Sequence, residues 1–199
     1  MSLNLFTSLN IIAENIGKKY GKTWVFRNLE FEIAHGSLVA ITGKNGAGKS
    51  TLLQILSGYL TPSEGILKFD NKETGIEKLN ATLIGPYTDI IEEMTLREFL
   101  SFHSHFKKAM ISSDKMAQKA SLPLDKFISD FSTGMKQRVK LITAFYFENG
   151  LVFMDEPTTN LDKDGFNWWK EEIQLIESTF FLASNDNIEI SNCQSKINL

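Results

Sequence analysis

The run Gly43-Lys44-Asn45-Gly46-Ala47-Gly48-Lys49-Ser50-Thr51 restricts what this chain can fold into more than any other feature. It fits G-x-x-x-x-G-K-[ST] and stands between a short apolar run, Leu38 to Thr42, and the helically spaced segment STLLQILSGYL. A short apolar run bounded by turn residues reads as a strand buried on both faces. Glycines let the loop curl until its backbone N–H groups point inward, with no side chain in the way. A helix beginning near Ser50 adds its positive end to the same spot. Such a loop cradles phosphate, with Lys49 set for the β- and γ-phosphates and the Ser50 hydroxyl for Mg²⁺.

The rest of the chain supports an alternating strand–helix fold. Upstream, Leu29, Phe31 and Ile33 alternate with Glu30 and Glu32, the period of a half-buried strand, with Gly21 and Gly36 at turns. Downstream, Leu151 to Met154 and Phe180 to Ala183 are further apolar strands, separated by a helix with Phe166, Trp169, Ile173 and Ile176 on one face. These imply a largely parallel sheet covered on both sides. The middle differs. Thr95 and Glu98 form a capping box with Met94 and Phe99 as its staple, which predicts a helix to about Lys107. A second, polar helix follows Ser113, and Pro123 ends or interrupts it. Residues from about 88 to 130 thus read as a helical insertion.

Two further sites carry chemistry. In LVFMDEPTTNLD an apolar strand delivers Asp155 and Glu156 at its carboxyl end, the edge where open α/β sheets bind ligands. Successive strand side chains point to opposite faces, so the two carboxylates divide the work. One serves the magnesium shell, and the other orients or deprotonates an attacking water. Ahead of that strand, Phe131-Ser132-Thr133-Gly134-Met135-Lys136-Gln137-Arg138 reads as a helix start with Ser132 or Thr133 as N-cap. Lys136, Arg138 and Lys140 crowd its first turns against the dipole preference, a conflict that eases if an anion docks there.

Composition narrows the class. A net charge of −3 gives no electrostatic reason to expect nucleic acid. A lone cysteine, Cys193, excludes an intramolecular disulfide and fits a reducing compartment. The N-terminal stretch MSLNLFTSLNIIAEN lacks the basic start and apolar core of a signal peptide. No apolar run approaches the ~20 residues of a membrane helix, so any membrane role is borrowed from a partner chain. His103 and His105 do not share a helical face, and with His35 they read as structural or solvent-facing.

Taken in order, these pieces resemble the nucleotide-binding subunit of ABC transporters over nearly the whole chain. GKNGAGKST looks like the Walker A loop and LVFMDE like Walker B. FSTGM stands at the place of the LSGGQ signature, keeping Ser132 and Gly134 but departing at Phe131, Thr133 and Met135. TTNLD resembles the D-loop, ending at Asp162. The resemblance implies a single ABC-type domain over 1–199. It would have a P-loop NTPase core with a mostly parallel sheet, an N-terminal antiparallel β subdomain, and a helical subdomain at about 88–148. It implies ATP and Mg²⁺, with ATP held by Tyr20 stacking on adenine and by residues 43–51. Asp155 would hold Mg²⁺ through its waters and Glu156 would be the catalytic base. Ser132, Thr133, Gly134 and Met135 would close over the ATP of a second cassette in a head-to-tail homodimer. A separate membrane-spanning subunit would seat the pair on the cytoplasmic face.

Two departures stand out. Where the family has a glutamine after the first core strand beyond the phosphate loop, this chain has Pro86 and Tyr87. Where it has a switch histidine, FFLASNDN offers Asn185, which hydrogen-bonds but carries no positive charge. Slow but real hydrolysis is the expectation. Two other readings remain: a soluble ABC ATPase that moves no solute, and a weakly catalytic, nucleotide-gated dimerisation module. The chain ends soon after the last core strand, so no C-terminal regulatory domain is expected. Cassettes carry little of the cargo's chemistry, and neither substrate nor direction of transport follows from these residues.

Overall fold

A computed structural model describes residues 10–70 and 80–199; the first nine residues of the stretch MSLNLFTSLNIIAEN fall outside it. The described residues divide into two compact units. One takes the chain up to Leu83 together with Gly150–Asp155 and Glu177–Leu199, and the other takes Ile84–Asn149 with Glu156–Ile176.

The first unit is built on two sheets. Strands β1 (Ile11–Tyr20) and β2 (Thr23–Ile33) form an antiparallel hairpin closed by Gly21 at φ +58°. Next come β3 (Leu38–Thr42), helix α1 (Lys49–Leu56) and β4 (Glu64–Phe69), which pairs antiparallel with β1 to give the order β2-β1-β4. Strands β5 (Ala81–Ile84), β6 (Leu151–Asp155), β7 (Thr179–Ala183) and β8 (Ser195–Asn198) join β3 in the second sheet, ordered β5-β6-β7-β3-β8. The pairs β6–β7, β7–β3 and β3–β8 are parallel, and every residue of β6 and β7 is buried, as their apolar runs require. Phe153 and Phe181 stack at 5.2 Å between these strands. Leu52, Leu53, Ile55 and Leu56 of α1 close the core against β6 and β7. Each such side chain contributes about 1.5–3 kcal/mol on burial.

The second unit is helical. Helix α2 (Leu96–His103) starts on the expected capping box: the Glu98 N–H donates to Thr95 Oγ1 at 3.3 Å, and the Thr95 N–H donates to Glu98 Oε2 at 2.8 Å. It stops four residues short of Lys107. The Ser104 hydroxyl and the His105 ring both bond the Ser101 carbonyl, at 2.6 and 2.9 Å, and so replace the next helical turn. Helix α3 (Ser113–Lys119) ends at a left-handed Ser121 (φ +53°), before Pro123 is reached. Helices α4 (Thr133–Phe145) and α5 (Lys163–Ile173) pack together. Trp168, absent from the face read off the sequence, is buried there and donates its indole N–H to Tyr146 Oη at 2.9 Å.

Glycines at positive φ divide by whether a side chain would have room. Gly65 (φ +88°) faces the bulge in β1 at Asn15, and a Cβ there would lie 2.3 Å from the Asn15 carbonyl oxygen. Around Gly21 nothing lies within 4 Å. Gly21→Ala should therefore cost about 1 kcal/mol, the left-handed penalty alone. Gly65→Ala should cost about 3 kcal/mol, because the strands must also separate. Urea unfolding of the two variants checks this, and equal losses would contradict the close approach of β4 to β1.

Candidate nucleotide site

The loop between β3 and α1 turns on three left-handed glycines, Gly43 at φ +148°, Gly46 at +83° and Gly48 at +103°. They are left-handed for different reasons. Gly46 has nothing within 4 Å of where a Cβ would stand, so only its backbone conformation calls for glycine. At Gly48 a Cβ would lie 2.5 Å from Val25 Cγ1 and 2.9 Å from the Phe26 ring, because the loop is tucked beneath β2. At Gly43 it would meet the Leu199 carbonyl oxygen at 2.9 Å, beside β8. Val25, Phe26 and Leu199 thus shape the loop, and no local pattern in the sequence marks them.

Helix α1 begins at Gly48 with no side-chain cap and no acidic residue in its first turn, whereas α2 to α5 each begin on a side-chain cap. Its first N–H groups and its dipole are available to an anion. Lys49, the first helical residue, is buried and its ammonium donates to the Gly43 carbonyl at 3.1 Å, spanning the loop it follows. Lys44, Asn45, Gly46 and Ser50 are exposed, while Ala47 and Thr51 are half-buried.

The parallel register sets the neighbours of this loop. Asp155 pairs with Ala183 and Ile41 also pairs with Ala183, so β6, β7 and β3 end level. Asp155 is buried at the end of β6. Just beyond β7, Asn185 is exposed, and its Nδ2 donates to Asn45 Oδ1 at 3.1 Å. The residue standing at the histidine's place therefore touches the phosphate loop directly, a contact between positions 140 residues apart. Asp155 and the Ser50 hydroxyl are hard oxygen donors within one unit, which is the donor chemistry Mg²⁺ takes. Tyr20 ends β1 at the hairpin, with its ring exposed and the Lys18 ammonium 5.4 Å from the ring centroid.

The expectation that Asp155 and Glu156 point to opposite faces of one strand needs correction. Strand β6 stops at Asp155, and Glu156 is exposed in the left-handed conformation (φ +49°), the first residue of the turn that follows. Left-handed backbone, and not strand alternation, separates the two carboxylates.

In the helical unit Ser132 is the N-cap of α4, its Oγ accepting the Met135 N–H at 3.3 Å; Thr133 is the first helical residue. A Cβ on Gly134 would lie 2.5 Å from the Asn160 carbonyl oxygen. The three cations crowded at this helix start are matched from within. Lys136 pairs with Glu92 at 2.6 Å, Arg138 with Asp162, and Lys140 donates to the Gly85 carbonyl at 3.3 Å. An external anion is not needed to relieve the dipole conflict. Asp162 caps α5 by accepting the Gly165 N–H at 2.8 Å; that bond first, and Arg138 second, hold its carboxyl below the usual range. Pro86 and Tyr87 lie in a turn closed by Thr88, with the Tyr87 ring laid over Gly85. His103 packs between Phe99 and Phe147, and among the described residues no cluster of three or more metal-ligating side chains occurs.

Comparison with known proteins covers most of the chain. The family model described as ABC transporter matches residues 26–159. The zinc import ATP-binding protein ZnuC of Wigglesworthia glossinidia brevipalpis is 33% identical over 159 residues, covering 79% of this chain and 67% of its own. The lantibiotic transport ATP-binding protein SrtF of Streptococcus pyogenes is 33% identical over 192 residues, 90% of this chain and 81% of its own. The structure of a putative ABC transporter ATP-binding protein from Pyrococcus furiosus superposes with a TM-score of 0.81 at 21% identity. That match covers 96% of this chain and 97% of the other, and it bears on fold.

Asparagine at position 185 has no proton to lose in the physiological range. Asn185→His should introduce an inflection near pH ~6.5 into the rate of ATP turnover, one that the parent chain lacks. Parallel pH–rate profiles of the two proteins check this; superimposable profiles would mean that position 185 does not bear on the reaction.

Proposed function

The chain belongs to the ABC transporter family and is an ATP-binding subunit that hydrolyses ATP; we propose that it works as half of a closing pair. In this reading two copies meet head to tail. Residues 43–51 of one copy and Ser132 to Met135 of the other enclose each ATP, with Tyr20 stacked on adenine. A separate membrane-spanning partner, reached through the helical subdomain, takes up the motion at the cytoplasmic face of the membrane. Among the described residues no helix is long and apolar enough to cross a membrane.

The observation that carries the reading is the single edge formed by the phosphate loop, Asp155 and Asn185 at the level ends of three parallel strands. The uncapped start of α1 and Lys49 would hold the β- and γ-phosphates. Asp155 and Ser50 would hold Mg²⁺, which neutralises phosphate charge when bound. Glu156, exposed and outside the strand, would take a proton from the attacking water. Asn185 would offer its amide to the γ-phosphate in place of its bond to Asn45. Asn185 brings no positive charge, so the rate should be modest.

The test is ATP turnover together with oligomeric state for the parent chain, Glu156→Gln and Lys49→Ala. Glu156→Gln should lose about 10²–10⁴-fold in rate, the usual contribution of a general base, and accumulate as an ATP-bound dimer. Lys49→Ala should fail to bind ATP and stay monomeric. Turnover in Glu156→Gln equal to the parent would remove Glu156 from the mechanism, and a monomeric Glu156→Gln saturated with ATP would remove the symmetric pair.

A further inference from the structure

The turn that carries Glu156 is built against local preference. Glu156 is not glycine, yet it sits at φ +49°, a conformation costing about 1–2 kcal/mol. It also precedes Pro157, whose ring restricts the residue before it. Within the turn two backbone bonds, Thr159 N–H to Glu156 O at 3.2 Å and Leu161 N–H to Thr158 O at 3.0 Å, close successive loops, and Asn160 takes a second left-handed conformation (φ +68°). A turn of this kind keeps its shape only if its surroundings impose it.

The imposing element is the first two turns of α4. Gly134, Gln137 and Arg138 are spaced i, i+3, i+4 and so lie on one helical face. All three engage the segment just after Glu156. Gly134 gives closest approach, since a Cβ there would overlap the Asn160 carbonyl. Gln137 Nε2 donates to the Pro157 carbonyl at 2.7 Å, on the residue next to Glu156. Arg138, buried, bridges the Asp162 carboxylate and the Ala120 carbonyl, the latter at 3.1 Å. Gly134 and Arg138 also serve the packing of α4 against its neighbours. Gln137 is half-buried, and the side-chain bond the structure gives it is the one to Pro157.

We propose that Gln137 is a positioning residue for Glu156. Its side-chain amide fixes the Pro157 carbonyl, and through it the left-handed turn that aims the Glu156 carboxylate. In this role it acts through the backbone, and together with the Gly134 and Arg138 contacts it passes a shift of α4 to the turn that carries the carboxylate. The inference rests on the reading of Glu156 as the base.

The experiment compares single-turnover ATP hydrolysis by the full chain, Gln137→Met, Gln137→Glu, Glu156→Gln and the double variant Gln137→Met/Glu156→Gln. Methionine keeps length without a donor, and glutamate keeps shape while losing the amide. Each Gln137 variant should lose about tenfold in kcat, some 1.4 kcal/mol, with KM for ATP unchanged. The thermal midpoint should stay within about 2–4 °C, the shift of a small stability change. In the Glu156→Gln background Gln137→Met should cost nothing more, because the group it positions is gone. A parent-like rate in both Gln137 variants overturns the inference, as does a raised KM with kcat intact. A loss that repeats in full in the double variant also overturns it. Parent-like turnover by Glu156→Gln alone is a separate result, and it would remove the base rather than its support.

Discussion

The parallel ladder of β6, β7 and β3 is the constraint on which the first unit depends. Asp155 and Ile41 share Ala183 as their partner, so the three strands end at one level and their loops emerge on one edge. A slip of one residue would turn every side chain of the slipped strand to the other face. The buried Phe153–Phe181 stack and the fully buried run of β6 penalise such a slip. The phosphate loop, Asp155 and Asn185 are therefore placed by hydrophobic register, and chemistry is laid onto that edge afterwards. The loop is also held from above, where β2 leaves room only for glycine at position 48.

In the helical unit polar contacts take over that role. The cations at the start of α4 would repel one another and oppose the dipole if left alone. Each is instead answered by a specific partner: Glu92 for Lys136, Asp162 for Arg138, the Gly85 carbonyl for Lys140. Because those partners lie on other segments of the same unit, the helix start is tied to the turn after Glu156 and to the Gly85 turn. Lys119 and the largely buried Glu172 add a similar link between α3 and α5 at 2.5 Å. Each of these ion pairs has one well-exposed partner, so each adds little to stability and serves to hold the segments in one arrangement.

Much of this was legible in the chain itself because the signals are local. A glycine-rich loop needs its glycines within a few residues, a capping box needs four, and a buried parallel strand shows as an apolar run. The strands at Leu38–Thr42 and Phe180–Ala183, the cap at Thr95 and the helix after Ser132 were all visible for that reason. The end of α2 was not, since Ser104 and His105 have to fold back onto Ser101 to stop it. Nor was the burial of Trp168, whose indole depends on Tyr146 in another helix.

By itself, then, the sequence determined the class of fold, the phosphate loop and the acidic strand end, because each is encoded in contiguous residues and short-range sterics. Tertiary structure alone decided that Asn185 would touch Asn45, that Glu156 would leave the strand in a left-handed turn, and that Gln137 would grip the residue beside it. Those contacts join positions from 20 to 140 apart along the chain. No pattern within a helical turn or a strand pair records them, because they exist only once the sheet register and the packing of α4 have brought the segments together.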